Sequence, residues 1–590
     1  MTAGLWLSTA GGLVLVSVAF MFSREQRPGA LALFWAGLLV AVLPTVAAIA
    51  FGRPTRRGYA GMVLLLGVAL YLVKVIHSPF QFTFADELSH VCNAQRIVTT
   101  GRLPGTNAAL PITTRFPGLE VLTAGIAQTA GIGTFAAGLV VIGVARCVMQ
   151  LGLFSLFELV TKSSRLGALA AAFYAFDPEM LYWSAQYSYE SLALPLAVAV
   201  LVAMLSRRRG HFPADRRRSR SWTFVALIGI AAVTVTHHVT SYALAASLLA
   251  LACVSLRSDR RWWRVPWDLG LVAAAAATGW FVYKGSLVAS YLGDIFRDVY
   301  DSVVQIASGT GAFRKPFQSS VYHIPIAERV VAFIGLLVVA VLVVVAARRR
   351  RRQRTHNPLE LVIWLACIGY LGSYALRFVP SAWEIANRAS EFLLIGTALA
   401  LAFSGVPLLL KRSYRSIGVL VFSLLFGLAF ASGVISGWPP PALLASPMDV
   451  AVGNTVIRPQ GFAVAGWAKK DVPAGTVMVA DQTSGRLLMT IAHDFPYIGT
   501  NPDAAGLISS TSIGAAQLYV LRRTHARYVV VDRRTIAQDD ILGYFFDRAG
   551  KPVAQIPAGS WQKFEQVPWT DLVFDSGNIL VYRIRWVPGA

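Results

Sequence analysis

Two adjacent carboxylates followed by a histidine are the residues of this chain whose types and spacing most suggest chemistry. Asp86, Glu87 and His90 lie in the segment Phe-Thr-Phe-Ala-Asp-Glu-Leu-Ser-His, just beyond an apolar stretch that ends near His77. On a helix, spacings of three and four residues bring these side chains to one side. A carboxylate beside a bilayer is expensive to desolvate, so it is usually paired, bound to a metal or used as a base. The alternative is that both carboxylates cap a solvated interfacial helix.

Three more polar residues stand at the ends of predicted apolar helices. Glu190 opens one helix, where a negative charge is also stabilised by about 0.3–1 kcal/mol through the helix dipole alone. His237 and His238 interrupt a longer apolar stretch. This pair either engages a donor phosphate or a metal, or forms a polar turn that the neighbouring backbone satisfies. A functional role and a purely structural role both stay open for Glu190 and for the histidine pair.

Arg388 precedes a late apolar stretch on the side of the membrane that basic residues avoid, so its position needs a reason. Arginine recognises phosphate oxygens through planar, bidentate hydrogen bonds, which favours a phosphate clamp. An ion pair with Glu384 or Glu391, four and three residues away, is the alternative. Arg377 is a weaker candidate of the same kind.

The composition restricts the class of protein to integral membrane proteins. Of the 590 residues, 55% are hydrophobic and only 14% are charged, whereas soluble chains carry about 25% charged residues. The net charge of +23 sits mainly in short loops, since the segment after residue 437 has 14 Lys/Arg against 12 Asp/Glu. This pattern predicts contact with membrane lipids and no nucleic-acid partner. The four cysteines are scattered and show no disulfide or metal-ligand spacing.

The apolar blocks predict about thirteen transmembrane helices. They begin near Leu5, Ala30, Tyr59, Thr134, Leu166, Ser188, Trp222, Val239, Asp268, Ala327, Leu359, Ala389 and Ile417. With a cytoplasmic N-terminus, strict alternation places the Arg-rich loops inside, as the positive-inside rule requires. It places residues 78–116, roughly 290–326 and 377–388 outside. We therefore expect a multi-pass protein of the cell (plasma) membrane.

A change of pattern at residues 438–441, Trp-Pro-Pro-Pro, predicts a domain boundary, because proline ends a helix. Residues 1–437 are expected to form an all-α polytopic membrane domain, with an external catalytic loop at 78–116. Residues 438–590 are expected to form a small extracytoplasmic α/β domain. Its predicted strands are 477–480, 528–531 and 579–582, and its predicted helix is 515–523.

Residues 70–205 resemble the GT-C superfamily, the multi-span glycosyltransferases that use polyprenyl-phosphate sugars. The resemblance rests on the Asp86-Glu87 pair, the nearby His90, a helix ending in glycine and a proline-containing stretch before the next apolar helix. Glu190 stands where these enzymes usually have an aspartate, and the longer side chain puts a metal-binding role there in doubt. GT-C proteins also commonly carry an arginine near the turn that holds Arg388.

The resemblance implies an inverting transfer of a sugar from a polyprenyl-phosphate donor to a glycan, lipid or protein acceptor of the cell envelope. It implies that Asp86 is the catalytic base and that Glu87 supports this base or binds a metal. The residues implied to bind the substrates are His90, Glu190, His237, His238 and Arg388. It also implies Mg²⁺ or Mn²⁺ at Glu87 and Glu190, and no other cofactor. The rival interpretations are a transporter or flippase of lipid-linked glycans and a non-catalytic envelope assembly protein.

Overall fold

The structure, a computed structural model, confirms a helical membrane domain followed by a small α/β domain. It describes residues 2–207, 213–256, 264–308, 324–352, 358–379, 382–404, 415–437, 443–444, 459–498, 501–535 and 556–585. The helices of the membrane domain are α1 Thr2–Arg24, α2 Ala30–Phe51, α3 Arg56–His77, α4 Ala85–Thr100, α5 Gly118–Ala130, α6 Thr134–Thr161, α7 Ser164–Phe173, α8 Tyr189–Arg207, α9 Pro213–Thr236, α10 His238–Ser255, α11 Arg264–Ala307, α12 Ile326–Arg352, α13 Pro358–Leu376, α14 Trp383–Ser404 and α15 Arg415–Ser436. Within the described residues, eleven helices are long and apolar enough to cross a membrane.

The predicted span from Leu166 is a broken segment and not a long helix. Tyr187 lies against Gly138, and Val198 lies against Gly152, so α6 and α8 run parallel. The chain between them must therefore return across the bundle. Helix α7 covers only 10 residues of this return, about 15 Å of the roughly 30 Å of hydrocarbon. The rest is short 3₁₀ turns and irregular backbone.

Burial explains why irregular backbone is tolerated in this return segment. All residues of 167–182 are buried, and non-helical backbone at membrane depth survives only where protein or water satisfies it. Helix α15 packs directly on the segment. A Cβ atom at Gly433 would come within 2.2 Å of the Phe176 carbonyl oxygen, and one at Gly437 within 1.9 Å of the Pro178 carbonyl oxygen. Glycine is therefore required at both positions.

The predicted span from Asp268 lies in α11, whose 44 residues give a length of about 66 Å, roughly twice the hydrocarbon thickness. It is not among the eleven apolar candidates. Asp268 pairs with Arg207 at 2.6 Å, and the Trp280 indole N–H donates to the Arg115 carbonyl at 3.1 Å. The helix thus runs from the basic loops past the first long loop. Residues up to Ala307 of the predicted external segment 290–326 are helical.

Charge divides the two ends of the bundle. One end, here called the basic end, gathers residues 53–57, 162–165, 207, 264–268 and 348–352. There Arg56 bonds Glu158 at 2.9 Å, and Arg350 pairs with Glu360. The opposite end holds residues 78–116, the α9–α10 turn and the N-terminus of α14. The positive-inside rule predicts that the basic end faces the cytoplasm.

The C-terminal domain contains a five-stranded sheet. The strands are β1 Val477–Ala480, β2 Phe495–Ile498, β3 Tyr528–Asp532, β4 Thr570–Asp575 and β5 Ile579–Ile584, in the order β2-β1-β3-β5-β4. Its helices are α16 Pro459–Asp471, α17 Gln482–Leu487, α18 Pro502–Ser509, α19 Ala515–Thr524 and α20 Lys563–Gln566. Strands β1, β2 and β3 pair in parallel, whereas β5 pairs antiparallel with both β3 and β4. The three predicted strands and the predicted helix are confirmed, and β2 and β4 were missed. The predicted boundary at 438–441 lies outside the described residues.

Candidate active site at the opposite end of the bundle

The two predicted carboxylates lie in the first turn of helix α4, and Glu87 caps the start of this helix. The Glu87 carboxylate accepts hydrogen bonds from the backbone N–H groups of Thr83, at 3.2 Å, and Phe84, at 3.1 Å. This is the reach-back half of a capping box, and the negative charge in the first turn also suits the helix dipole. Gly101 ends the helix with φ +66°, a left-handed conformation that glycine adopts readily.

Glu87 is held on every side within the described structure. Its carboxylate forms an ion pair with Lys74, and both side chains are at most 1% exposed. It also accepts the Tyr187 N–H at 2.9 Å, which ties the first long loop to the broken return segment. A buried charge with a matched partner and several hydrogen bonds is stable where it lies. These contacts suit a positioning role better than proton exchange with a substrate.

Asp86 differs from its neighbour in exposure and partners. Its carboxylate is partly exposed and accepts no hydrogen bond within the described residues. Of the two predicted carboxylates, Asp86 alone is therefore open to solvent.

His90 lies at one end of a row of four rings in contact. Its Nδ1 bonds the Glu120 carboxylate at 2.7 Å, and both groups are buried. The His90 ring packs edge-on against Tyr189, with centroids 4.6 Å apart, and Tyr189 stacks on His237 at 4.4 Å. The His238 ring follows at 4.8 Å from that of His237. The structure thus brings three predicted site residues together through Tyr189, which the sequence did not indicate.

His237 is a neutral hydrogen-bond donor at this site. Its Nδ1 accepts the Thr240 N–H at 3.4 Å and lies 2.8 Å from the Thr240 hydroxyl, so it caps α10. Burial, with the charges of His238, Arg388 and His90, holds the pKa of His237 well below its usual range. In a neutral imidazole that accepts at Nδ1, the proton is on Nε2. This nitrogen is buried and has no hydrogen-bond partner within the described residues.

Arg388 pairs with a residue that neither sequence alternative named. Its guanidinium donates to the Glu190 carboxylate at 3.2 Å and lies over the Trp183 ring at 5.4 Å. The Trp183 indole N–H donates to the same carboxylate oxygen at 3.1 Å. Glu391 is not the ion-pair partner, and the side chain of Glu384 lies outside the described residues. The arrangement connects the first turn of α8 with α14.

A second group of buried charges adjoins Glu190 and Arg388. From the sequence, only two of its members were considered: Glu391 as a possible ion-pair partner of Arg388, and Arg377 as a weaker phosphate-binding candidate. Its members are Asp177, Glu179, Glu391, Arg146 and Arg377, each at most 8% exposed. Neither carboxylate oxygen of Glu391, nor Nε or Nη2 of Arg377, has a hydrogen-bond partner within the described residues.

Part of this group could have been identified from the sequence, because two of its ionisable residues lie inside apolar segments. Arg146 lies within the α6 span, and Glu391 lies within the α14 span. An ionisable residue inside a predicted span is by default a functional hypothesis. Asp177 and Glu179 lie outside the apolar helices, and their burial follows from the packing of the return segment.

The predicted metal ligands do not come together. Glu87 is bound to Lys74, whereas Glu190 is bound to Arg388 and Trp183. In the part of the chain that the structure describes, no three His, Cys, Asp or Glu side chains are arranged to hold a metal ion. A hard cation requires several converging oxygen ligands. These two carboxylates as placed do not fit Mg²⁺ or Mn²⁺.

No protein-family model and no curated protein sequence matches the chain. Several solved structures are similar to it, among them two of the same protein. One is ArnT from Cupriavidus metallidurans bound to undecaprenyl phosphate, with a TM-score of 0.45, 11% identity, and coverage of 89% of this chain and 98% of that one. The other is the apo state of the same protein, with a TM-score of 0.40, 12% identity, and coverage of 90% and 99%. At TM-scores this low, the similarity supports no inference about activity.

Proposed function

We propose that the protein is a membrane glycosyltransferase of the GT-C type. It transfers a sugar from a polyprenyl-phosphate donor to a glycan, lipid or protein acceptor at the outer membrane face. The observation that carries this proposal is the composition of the site. A partly exposed carboxylate, a neutral histidine donor and an arginine all lie at the end of the bundle away from the basic loops.

In this proposal Asp86 is the base. An acceptor hydroxyl attacks the anomeric carbon of the donor sugar and passes its proton to the Asp86 carboxylate. The bond between that carbon and the phosphate oxygen breaks, and the lipid phosphate leaves with the electron pair. Attack opposite to the leaving group inverts the anomeric centre. Glu87 does not take part in the proton transfer, because it holds the loop through Lys74 and Tyr187.

Arg388 and the histidines stabilise the departing phosphate. A guanidinium provides planar donors to phosphate oxygens, and Glu190 with Trp183 fixes its orientation. The Nε2–H of His237 adds a neutral donor, and His238 stands beside it. His90, bonded to Glu120, orients Tyr189 in the row of rings. A divalent cation stays a prediction, and no step of this proposal passes through one.

A transporter of lipid-linked glycans is the second candidate, and a specific observation favours it. Arg146, Glu190 and Glu391 are buried inside candidate spans, as expected of ionisable residues along a transport path. A transporter would move the lipid-linked sugar without breaking the bond to phosphate. The appearance of free polyprenyl phosphate as a product therefore separates the two functions.

The proposal is tested by complementing a deletion strain with the full chain and analysing the envelope glycans by mass spectrometry. The wild-type chain is expected to restore a glycan that carries one more sugar, whereas Asp86→Asn is expected to lose it. Glu25→Gln, which changes an exposed acid outside the site, is the matched control and is expected to restore the glycan. If Asp86→Asn restores the glycan as well as the control does, Asp86 is not the base and the proposal fails.

A further inference from the structure

A short helical segment of the C-terminal domain lies against α4, the helix that carries the two predicted carboxylates. The segment consists of helix α17 and the π-helical turn Leu488–Ala492 that follows it directly. Asp481 fixes its start, because the Asp481 carboxylate accepts the N–H groups of Thr483 at 2.8 Å and Ser484 at 2.9 Å. π-helical turns are rare and occur frequently at functional sites. We call residues 482–492 the docking segment.

The docking segment bonds directly to the turn of α4 that contains Asp86. The Thr490 hydroxyl donates to the Leu88 carbonyl oxygen at 3.0 Å. The Leu88 N–H in turn donates to the Phe84 carbonyl oxygen at 3.3 Å, which closes the first turn of the helix. Asp86 lies between Phe84 and Leu88 in the chain. The turn that carries it is therefore held by one hydrogen bond of its own and by another from the C-terminal domain.

Apolar packing supports this hydrogen bond along two turns of α4. Leu88 is buried in a cluster with Leu487 of the docking segment, and Cys92, one turn further on, is buried in a cluster with Met489. The Cys92 thiol lies 3.5 Å from the Met489 carbonyl oxygen. Two contacts four residues apart fix the direction of the docking segment along the helix, which a single contact would not define.

The membrane domain and the first long loop hold the other sides of α4. Glu87 pairs with Lys74 of α3, and the Asn107 side chain of the loop donates to the Ser89 carbonyl oxygen at 3.0 Å. The docking segment supplies a third side, and residues 87–94 are all buried as a result. The C-terminal domain is thus part of the enclosure that fixes this helix.

We propose that the docking segment positions the turn that carries Asp86, with Thr490 as the positioning residue. This inference rests on the proposed function, since Thr490 acts through the proposed base and does not touch the reacting atoms. A base must lie within hydrogen-bond reach of the proton that it takes, and a misplacement of about 1 Å can cost roughly 100-fold in rate. Without the Thr490 hydroxyl, the turn keeps its internal hydrogen bond but loses its link to the docking segment. The C-terminal domain therefore supports turnover, whereas binding of the lipid phosphate at Arg388 does not depend on this contact.

The test compares two threonines of the C-terminal domain that differ in the partner of the hydroxyl. Thr490→Val removes the bond to Leu88, whereas Thr535→Val removes a bond of 2.6 Å to the Asp532 carbonyl oxygen of the same domain. Both threonines are buried, so each variant exchanges one buried hydroxyl for a methyl group. Thr490→Ser keeps the hydroxyl and is the conservative variant.

Three measurements are made on the full chain. The rate at which the glycan appears after induction in the deletion strain, divided by the amount of folded chain, reports turnover. Binding of undecaprenyl phosphate to the purified chain in nanodiscs reports the phosphate site. The thermal unfolding midpoint reports folding.

Thr490→Val is expected to lower the rate at least about threefold, the order of effect of one neutral hydrogen bond, and to leave undecaprenyl phosphate binding within about twofold of wild type. Thr490→Ser is expected to regain most of the rate, and Thr535→Val is expected to keep the wild-type rate per folded chain. Equal rates per folded chain from Thr490→Val and Thr535→Val overturn the inference. It is also overturned if Thr490→Ser regains nothing, or if Thr490→Val weakens lipid binding as much as it lowers the rate.

Cys92 provides a second test that needs no activity. Its thiol is buried at the interface between α4 and the docking segment, and burial raises the pKa of the thiol to about 11. In a chain whose other three cysteines are replaced by alanine, a water-soluble maleimide should therefore label Cys92 only when the interface opens. Leu487→Ala removes buried apolar contact at this interface and is expected to speed the labelling at least about tenfold. Labelling of wild type as fast as of the unfolded chain, or no change in Leu487→Ala, contradicts the docking contact.

Asp86→Asn, measured in parallel, separates this inference from the proposed function. If Asp86→Asn abolishes the product and Thr490→Val keeps the wild-type rate, only the role of the docking segment fails. If Asp86→Asn keeps wild-type product, the proposed function fails, and the role of Thr490 fails with it.

Discussion

Among the described residues, the ion pairs at the basic end of the bundle are at least partly exposed, whereas those at the opposite end are largely buried. The side chains of Arg56 and Glu158 are 62% and 18% exposed, and those of Lys74 and Glu87 are 1% and 0% exposed. Exposed pairs contribute little to stability, whereas a buried charge is tolerated only with a matched partner. The positive-inside rule predicts that the basic end faces the cytoplasm. The opposite end holds the predicted site residues, where each buried charge has to keep its partner.

The largest effect is expected from breaking the Lys74–Glu87 pair. Lys74→Met leaves the Glu87 carboxylate buried without its cation, and such changes typically cost about 3–5 kcal/mol. Thermal unfolding of the detergent-solubilised chain measures this cost, and glycan restoration should be lost with it. The double variant Lys74→Met/Glu87→Gln removes both charges and should recover much of the stability. A double variant no more stable than the single one would contradict the buried-pair interpretation.

A smaller effect on stability is expected at Arg388, because its partner Glu190 keeps the hydrogen bond from the Trp183 indole when the guanidinium is removed. From the proposed function, we expect Arg388→Gln to weaken binding of a polyprenyl phosphate about tenfold, equivalent to about 1.4 kcal/mol. Arg388→Lys should lie between the variant and wild type, because lysine keeps the charge but loses the planar donors. Titration of the lipid into nanodisc-embedded protein measures both. Equal binding by all three proteins would remove Arg388 from the phosphate site.

The smallest effect is expected at the basic end. Arg56→Gln breaks an exposed pair with Glu158, and exposed pairs contribute about 0.2–1 kcal/mol. The unfolding midpoint should barely change, and glycan restoration should match wild type. This variant is the matched control for Lys74→Met, since both remove one cation from an ion pair of the same bundle. A loss as large as that of Lys74→Met would erase the contrast between the two ends.

Much of the architecture followed from local patterns, because a membrane helix must satisfy its own backbone and expose apolar side chains to lipid. Eleven of the thirteen predicted starts coincide with helices apolar enough to span. The two exceptions show where a local pattern is insufficient. The segment from Leu166 is apolar because protein surrounds it on all sides, so hydropathy could not distinguish it from a lipid-facing helix. The helix that contains Asp268 continues through a polar stretch to Ala307. A prediction based on apolar segments could not detect this polar part of the helix.

The sequence alone determined that the chain spans a membrane, that its basic loops lie on one side, and that Asp86, Glu87 and His90 form a candidate site. Those features depend on residue type and on spacings of a few positions, which the chain displays directly. Only the tertiary structure decided that Glu87 pairs with Lys74, that Arg388 pairs with Glu190, and that the Thr490 hydroxyl donates to the Leu88 carbonyl oxygen. The last two pairs of partners are 198 and 402 positions apart. Contacts at such separations arise from how whole elements pack, and no local period in the sequence records them.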